Sequence, residues 1–233
     1  MIPNGGSSVM ATRREPPHSL DFFPTPPFGT RALCEHVLRT RFDLRQMTCL
    51  EPAAGEGHMA EVLREYFKRV HASDVFDYGK GYAVGAFVAN RLGLVDDLSR
   101  CPFAPDWVIT NPPFNLAEAF VERALAEANV GVAILVRTSW LETSERYHKI
   151  FSVTPPTTVA IFVERVAMVK GRWDHNASTA TSYAWVIWDK FKASTETAFI
   201  WIPPGCKDTL TKPSDFQKFT AAAPDMFEEA TTQ

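Results

Sequence analysis

The sequence predicts an α/β fold built on a mostly parallel, doubly wound sheet, and three observations predict it. Strand-like and helix-like stretches alternate along most of the chain. A short apolar run ends in Glu51-Pro52, turns through the small residues Ala53-Ala54-Gly55-Glu56-Gly57, and passes into a helical stripe of Met59, Val62, Leu63, Tyr66 and Phe67. Val130 to Val136 is almost unbroken apolar sequence, the pattern of a strand buried on both faces. With 233 residues, 45% hydrophobic, the chain can bury one real core.

Taken in order, residues 1–20 are polar and read as a flexible leader. Residues 21–27, DFFPTPP, carry three prolines in seven positions, which forbids a helix interior and favours a stiff extended segment. From Phe28 to Phe42, Ala32, Leu33, Val37 and Leu38 recur near helical spacing. Met47 to Leu50 is the first strand, and Arg69 to Ser73 the second, ending at Asp74. A glycine-rich stretch from Tyr78 to Gly93 leads to Leu94-Val95-Asp96-Asp97. Trp107 to Thr110 is a buried strand closing on Asn111-Pro112-Pro113-Phe114, with a helix from Leu116 to Ala128 behind it. Beyond the strand at 130–136, Trp140 to Phe151 predicts another helix, and strands follow at Thr158–Val163, Tyr183–Trp188 and Ala198–Ile202. The last two have no helix between them and are expected to run antiparallel to each other. Trp185 and Trp188 are read as sharing one strand face and packing in the core. Residues after Pro203 read as loosely ordered, so the expected organisation is a leader (1–20), a single domain (21–203) and a tail (204–233).

The formal charge is −3, which weighs mildly against a nucleic-acid partner; only a local basic patch touches phosphate, so it excludes none. Cys34, Cys49, Cys101 and Cys206 lack CxxC spacing and paired histidines, which argues against a zinc site or a disulfide framework. Reduced thiols, the absence of an apolar signal segment and the absence of a membrane span predict a soluble cytoplasmic protein.

Three features carry chemistry. Gly55 and Gly57 permit a sharp strand-to-helix turn close to a ligand, with Glu51 ahead of it able to accept from a ligand amine or ribose; many nucleotide-binding folds share such a turn. Asp74, at the end of the second strand, suits ribose hydroxyls or simply a solvated loop, and Asp96 or Asp97 could hold an adenine amine, Asp96 being preferred. Asn111-Pro112-Pro113-Phe114 is the sharpest signal. The lone pair of an exocyclic aromatic amine leans into its ring, so the amine is a poor nucleophile. An Asn oxygen and a backbone carbonyl can accept its two N–H groups and aim the nitrogen at a methyl donor as positive charge develops. Pro113 stiffens the loop that presents the Pro112 carbonyl, and Phe114 offers a flat face to an unstacked base. No general base and no metal is required.

These motifs resemble those of the amino-group DNA methyltransferases, and among them the small adenine-N6 enzymes of phages and prophages. The resemblance spans about residues 21–202. The segment Asp21-Phe22-Phe23-Pro24-Thr25-Pro26-Pro27 is similar to the family's N-terminal cofactor motif, Glu51 to Gly57 to its main cofactor motif with Glu where Asp is common, Asn111 to Phe114 to its catalytic motif, and Ala184-Trp185-Val186-Ile187-Trp188 to a late aromatic strand. It implies a Rossmann-like seven-stranded S-adenosylmethionine-dependent methyltransferase fold with one antiparallel strand. The cofactor would be S-adenosyl-L-methionine, bound by Phe23, Pro24, Thr25, Pro26, Glu51, Pro52, Ala53, Gly55, Gly57, Asp74, Asp96 and Asn111.

The implied substrate is DNA, modified at adenine N6 as in restriction-modification. Base extrusion would need a cationic groove, for which Arg137, Arg146, Lys149, Arg165, Lys170, Arg172 and Trp173 are the candidates. Larger relatives carry a separate target-recognition domain for which this sequence has no room, so specificity is expected from short loops or a partner. Two alternatives stay open: RNA or a protein glutamine amide as substrate, and an inactive methyltransferase-fold module that binds DNA.

Overall fold

The computed structural model of the protein describes residues 22–88, 101–192 and 196–219. Its centre is an eight-stranded sheet of β1 (Thr48–Glu51), β2 (Arg69–Asp74), β3 (Ala83–Val84), β4 (Trp107–Thr110), β5 (Gly131–Arg137), β6 (Thr158–Phe162), β7 (Tyr183–Asp189) and β8 (Ala198–Ile202), in the order β3-β2-β1-β4-β5-β7-β6-β8. Only β7 is antiparallel to its neighbours, β5 and β6; every other pairing is parallel. Direction along the sequence reverses between β1 and β4, which opens a crevice at their carboxyl ends, where open α/β sheets take ligands.

Apolar side chains cover both faces. On one, Phe28, Leu33, Trp107, Leu135 and Trp185 form a cluster; on the other, Val108, Ile134, Phe120, Val186 and Trp188 do. The strands β4 and β7 are buried along their whole length, as unbroken apolar runs require. Trp185 and Trp188 are both core residues, but on opposite faces: three positions along a strand of period two cannot share a side. Each indole finds an acceptor, Gly29 O at 3.1 Å and Thr154 O at 2.8 Å.

Two predicted helices are interrupted. α1 (Pro27–Leu33) starts with proline at its first position, where no N–H is needed, and continues as a π-turn over Cys34–Leu38. The stretch expected to be helical from Trp140 to Phe151 is a 3₁₀ turn (Thr138–Leu141), a short α-helix (Ser144–Arg146) capped by Thr143, and a π-turn (Tyr147–Phe151). Thr143 restarts the helix because its hydroxyl accepts from the Arg146 N–H, which a continuous helix would give to Glu142. α2 (His58–Leu63) and α3 (Ala117–Glu127) match their apolar stripes.

At the carboxyl end, β7 and β8 do run in opposite directions but are not neighbours: β6 lies between them, and β8 pairs with β6 in parallel. Residues after Pro203 are not loose up to 219. They form two short helices, Cys206–Leu210 and Pro213–Phe219, and the second buries Asp215 against Arg31. The guanidinium makes two bonds to that carboxylate, at 2.6 and 2.7 Å, and two more to Glu65. Composition hid this, because the partners stand 184 residues apart. Among the described residues no helix is long and apolar enough to cross a membrane.

Candidate active site

The carboxyl ends of β1, β2 and β4 bring Glu51, Asp74 and Asn111 to one cleft, with about 570 Å³ of empty space that is partly open to solvent. Phe23, Pro24 and Thr25 line the cleft together with Ala53, so the N-terminal motif and the residues ahead of the glycine turn meet there. Pro26, Pro52, Gly55 and Gly57 support the cleft rather than line it. Pro26 precedes α1, and Gly55 donates its N–H to Asp74 at 2.8 Å. Asp96 and Asp97 lie outside the described residues.

Asn111 is held by its amide nitrogen, which donates to the Phe23 carbonyl at 2.9 Å and to Thr25 Oγ1 at 3.1 Å, with Met168 Sδ at 3.5 Å. A carbonyl can only accept, so these contacts fix which end of the amide is which. The other end, Oδ1, is buried without a partner. A buried carbonyl oxygen left unmatched costs about 1–3 kcal/mol, which a donor arriving at this point would recover.

Glu51 is similarly half-used. Its Oε1 accepts from Thr110 Oγ1 at 2.6 Å and from the Ala53 N–H at 3.1 Å, while Oε2 is buried and unpartnered. Burial pushes the carboxyl up to about 8, against the pull of those two donors. A ligand cation at Oε2 would restore the carboxylate. Asp74, also raised by burial, accepts from Gly55 and Phe76.

The glycines make the expected sharp turn, and they also make room for the protein's own aromatics. Gly55 has φ +53° and Gly57 φ +89°, and a Cβ on either would strike the ring of Phe22 or of Tyr82. The space that a ligand was expected to use is here shared with the protein's own aromatics.

Three cleft features escaped the sequence reading. His58, 2% exposed, lines the cleft with neither ring nitrogen partnered. Burial lowers it to about 4, so the ring is neutral at physiological pH. It stacks on Phe219 of the last helix at 4.6 Å. Tyr78 completes the wall near Asp74, and Met168 reaches Asn111 from the β6–β7 connection. His58 directly follows the glycine motif in sequence; the others needed distant loops to fold back.

The loop Asn111–Phe114 divides two spaces. Asn111 and Pro113 face the cleft, whereas Pro112 and Phe114 border a second cavity with about 600 Å³ of empty space. Arg137 and Arg146 line that cavity with Trp140. Phe114, expected as an open platform, is covered: the Arg137 guanidinium carbon lies 4.1 Å from its ring centre and Phe23 packs at 5.3 Å. Arg146 is held by Glu118 at 2.9 Å and by the Trp140 carbonyl at 2.8 Å, and Lys149 pairs with Glu145.

The remaining basic candidates do not join this cavity. Arg165 lines a different one with Trp173, Arg172 sits 3.7 Å from Asp174, and Lys170 lies on the same connection. Trp173, read as a stacking or wedging side chain, is 5% exposed and packed against Phe216 at 5.2 Å, so it is core. Among the described residues no group of His, Cys, Asp or Glu could hold a metal ion.

Comparison with solved structures places this architecture. A protein of Listeria monocytogenes described as a class I S-adenosylmethionine-dependent methyltransferase is 16% identical, with a TM-score of 0.52 over 84% of this chain and 69% of its own. The methyltransferase subunit of a type I restriction-modification system from Streptococcus thermophilus is 14% identical, with a TM-score of 0.56 over 77% of this chain and 47% of its own. A Vibrio vulnificus protein described as a modification subunit of a type I restriction enzyme gives 14% and 0.51, over 84% and 51%. The chain thus spans about half the length of the last two. No family model and no curated protein matches the sequence. The fold is that of the class I methyltransferases, with eight strands here instead of the expected seven because β8 extends the edge beyond β6.

Proposed function

We propose that the protein is an S-adenosylmethionine-dependent methyltransferase that modifies N6 of adenine in DNA. One observation carries the reading: Asn111 is clamped through its amide nitrogen, leaving Oδ1 buried and unpartnered at the wall between the two cavities. An acceptor fixed in that way holds an incoming amine by one N–H and aims its nitrogen across the wall.

The residues of the cleft fit the cofactor. Its ammonium matches the spare oxygen of Glu51, its ribose matches Asp74, and Phe23 to Thr25 can cover its amino-acid end. When bound, the cofactor supplies an electrophilic methyl group on a sulfonium centre. Thr110 ties the two halves together, since its hydroxyl bonds Glu51 on β1 while the next residue is Asn111. The N6 proton needs no dedicated base: once the amine carries the new methyl group it is strongly acidic, and water reached through the second cavity can take the proton.

DNA is favoured over a glutamine amide by the second cavity, where an aromatic ring and two arginines flank the Asn-Pro-Pro loop. The likeness to two methyltransferase subunits of type I restriction-modification systems supports the same substrate class, and restriction-modification is the setting it suggests.

Mass analysis of nucleosides from a methylation-deficient host expressing the protein tests the proposal. N6-methyladenine above background is expected. Its absence, with methyl label recovered in protein or RNA, would reassign the substrate. Failure to bind S-adenosylmethionine at millimolar concentration in calorimetry would leave a non-catalytic module.

A further inference from the structure

We infer that the cavity beyond the Asn-Pro-Pro loop holds a nucleotide phosphate, and that Arg137 is the group that binds it, leaving the Phe114 ring as it does so. This rests on the reading of the protein as a nucleic-acid methyltransferase and adds the anionic half of its substrate site.

Arg137 ends β5, the strand beside the loop, and its charge has no carboxylate partner among the described residues. Seven of the eleven described arginines are paired, and Arg45, Arg69 and Arg165 share the lack. Arg31, Arg39, Arg41, Arg64, Arg123, Arg146 and Arg172 all sit within 4.0 Å of an acidic side chain. The Arg137 guanidinium lies over Phe114 instead, and its Nε is buried with no acceptor. Trp140, 7% exposed, lines the same cavity, and its indole Nε1 is also buried with no acceptor. Two unsatisfied donors and a cation without a counterion on the wall of one cavity describe a site for an anion rich in acceptor oxygens.

The ring contact gives the site a second property. A guanidinium 4.1 Å from the centre of Phe114 fills the slot a base would need for stacking on that side. Cation–π attraction at a partly exposed site is weak, on the order of 1 kcal/mol, whereas a bidentate bond to phosphate is charge-assisted. A nucleotide therefore exchanges the weaker contact for the stronger one. Its phosphate draws Arg137 off the ring, and its base takes the vacated face. A nucleoside without phosphate has to displace the guanidinium with nothing given in return. The ligand class is an adenine nucleotide or the phosphodiester of a strand, recognised by base and phosphate together.

Binding of 2′-deoxyadenosine and of its 5′- and 3′-monophosphates, measured at low salt with the cofactor product present, tests the site. The wild type should prefer one monophosphate by about tenfold over the nucleoside, whereas Arg137→Gln should bind nucleoside and monophosphates within about twofold of one another. Arg137→Gln should also bind the bare nucleoside at least as well as the wild type, because the ring face is freed. Arg137→Lys should retain part of the preference, and both variants should bind cofactor as the wild type does, which reports folding. A phosphate preference that persists in Arg137→Gln, a parallel loss of nucleoside and nucleotide binding, or no binding of any of the three to the wild type would overturn the inference. DNA methylation is scored separately. Methylated DNA with an Arg137-independent preference sinks only this site, and an Arg137-dependent preference with no methyl in DNA sinks only the adenine-DNA reading.

Discussion

The two sides of the Asn-Pro-Pro loop differ in what they leave unsatisfied, apart from the neutral His58 ring in the cleft, which carries one donor and one acceptor. On the cleft side the buried, unpartnered oxygens are acceptors, Glu51 Oε2 and Asn111 Oδ1. On the other side the unpartnered atoms are donors, Arg137 Nε and Trp140 Nε1. A protein that buries unmatched polar atoms at its core keeps them for ligands, and their chemistry gives the ligand's charge. Acceptors suit a cationic methyl donor, and donors suit a polyanion. Asn111 stands on the boundary, where its free oxygen awaits the incoming amine.

Removing the boundary residue should break this contrast most severely. Asn111→Ala is expected to lower methyl transfer roughly a thousandfold, with cofactor affinity nearly intact, because the lost oxygen meets the amine and not the donor. Single-turnover kinetics beside calorimetry checks it, and an active variant would remove Asn111 from its assigned role. The next largest effect should fall on stability and not on either side of the loop. Asp215→Ala strips Arg31 of its buried partner, and about 3 kcal/mol of stability should be lost in denaturant unfolding, at the lower end for a broken buried pair because Glu65 remains.

Glu51 sharpens the comparison through pH. Its carboxyl is raised to about 8, so in the free protein the neutral form is fully favoured below the ordinary carboxylate range, and the associated stability is lost as pH rises through 8. A cationic ligand favours the carboxylate, so binding expels a proton below pH 8. Cofactor affinity should therefore climb between pH 6 and 8, by up to about tenfold per unit, and then level off, and Glu51→Gln should flatten the profile. Titration calorimetry in buffers of different ionisation enthalpy would detect the proton, and a flat wild-type profile would take Glu51 out of cofactor binding. The smallest effects should separate the two sides in a pair of variants. Phe114→Ala should weaken oligonucleotide binding severalfold with cofactor affinity little changed, and Asp74→Ala should do the reverse, on the order of 1 kcal/mol each.

What could be read in the sequence was whatever lies within a few residues of a strand end. Glu51, Asp74 and Asn111 were visible because an α/β sheet puts its ligands at the carboxyl ends of its strands. The alternation of apolar runs gave most of the sheet, including β4, β5 and β7. What could not be read depends on long-range closure. Nothing local says that β6 slips between β7 and β8, or that Met168 returns to Asn111. Trp173 looked like a surface aromatic in a basic loop, and only the packing of Phe216 on it makes it core. The close approach of Phe22 and Tyr82 to the glycines was hidden for the same reason, since both come from other segments.

The bond between Arg31 and Asp215 also bears on how the chain comes to be folded. Arg31 lies in the first helix of the described residues, while its full set of carboxylates is complete only when residue 215 emerges. Until then a cation destined for the interior has Glu65 alone, and the first helix has reason to stay undocked from the growing sheet. Asp215 thus acts as a latch made 184 residues after the cation it holds, and a nascent chain stalled before that point should leave the first described helix open to chaperones and proteases.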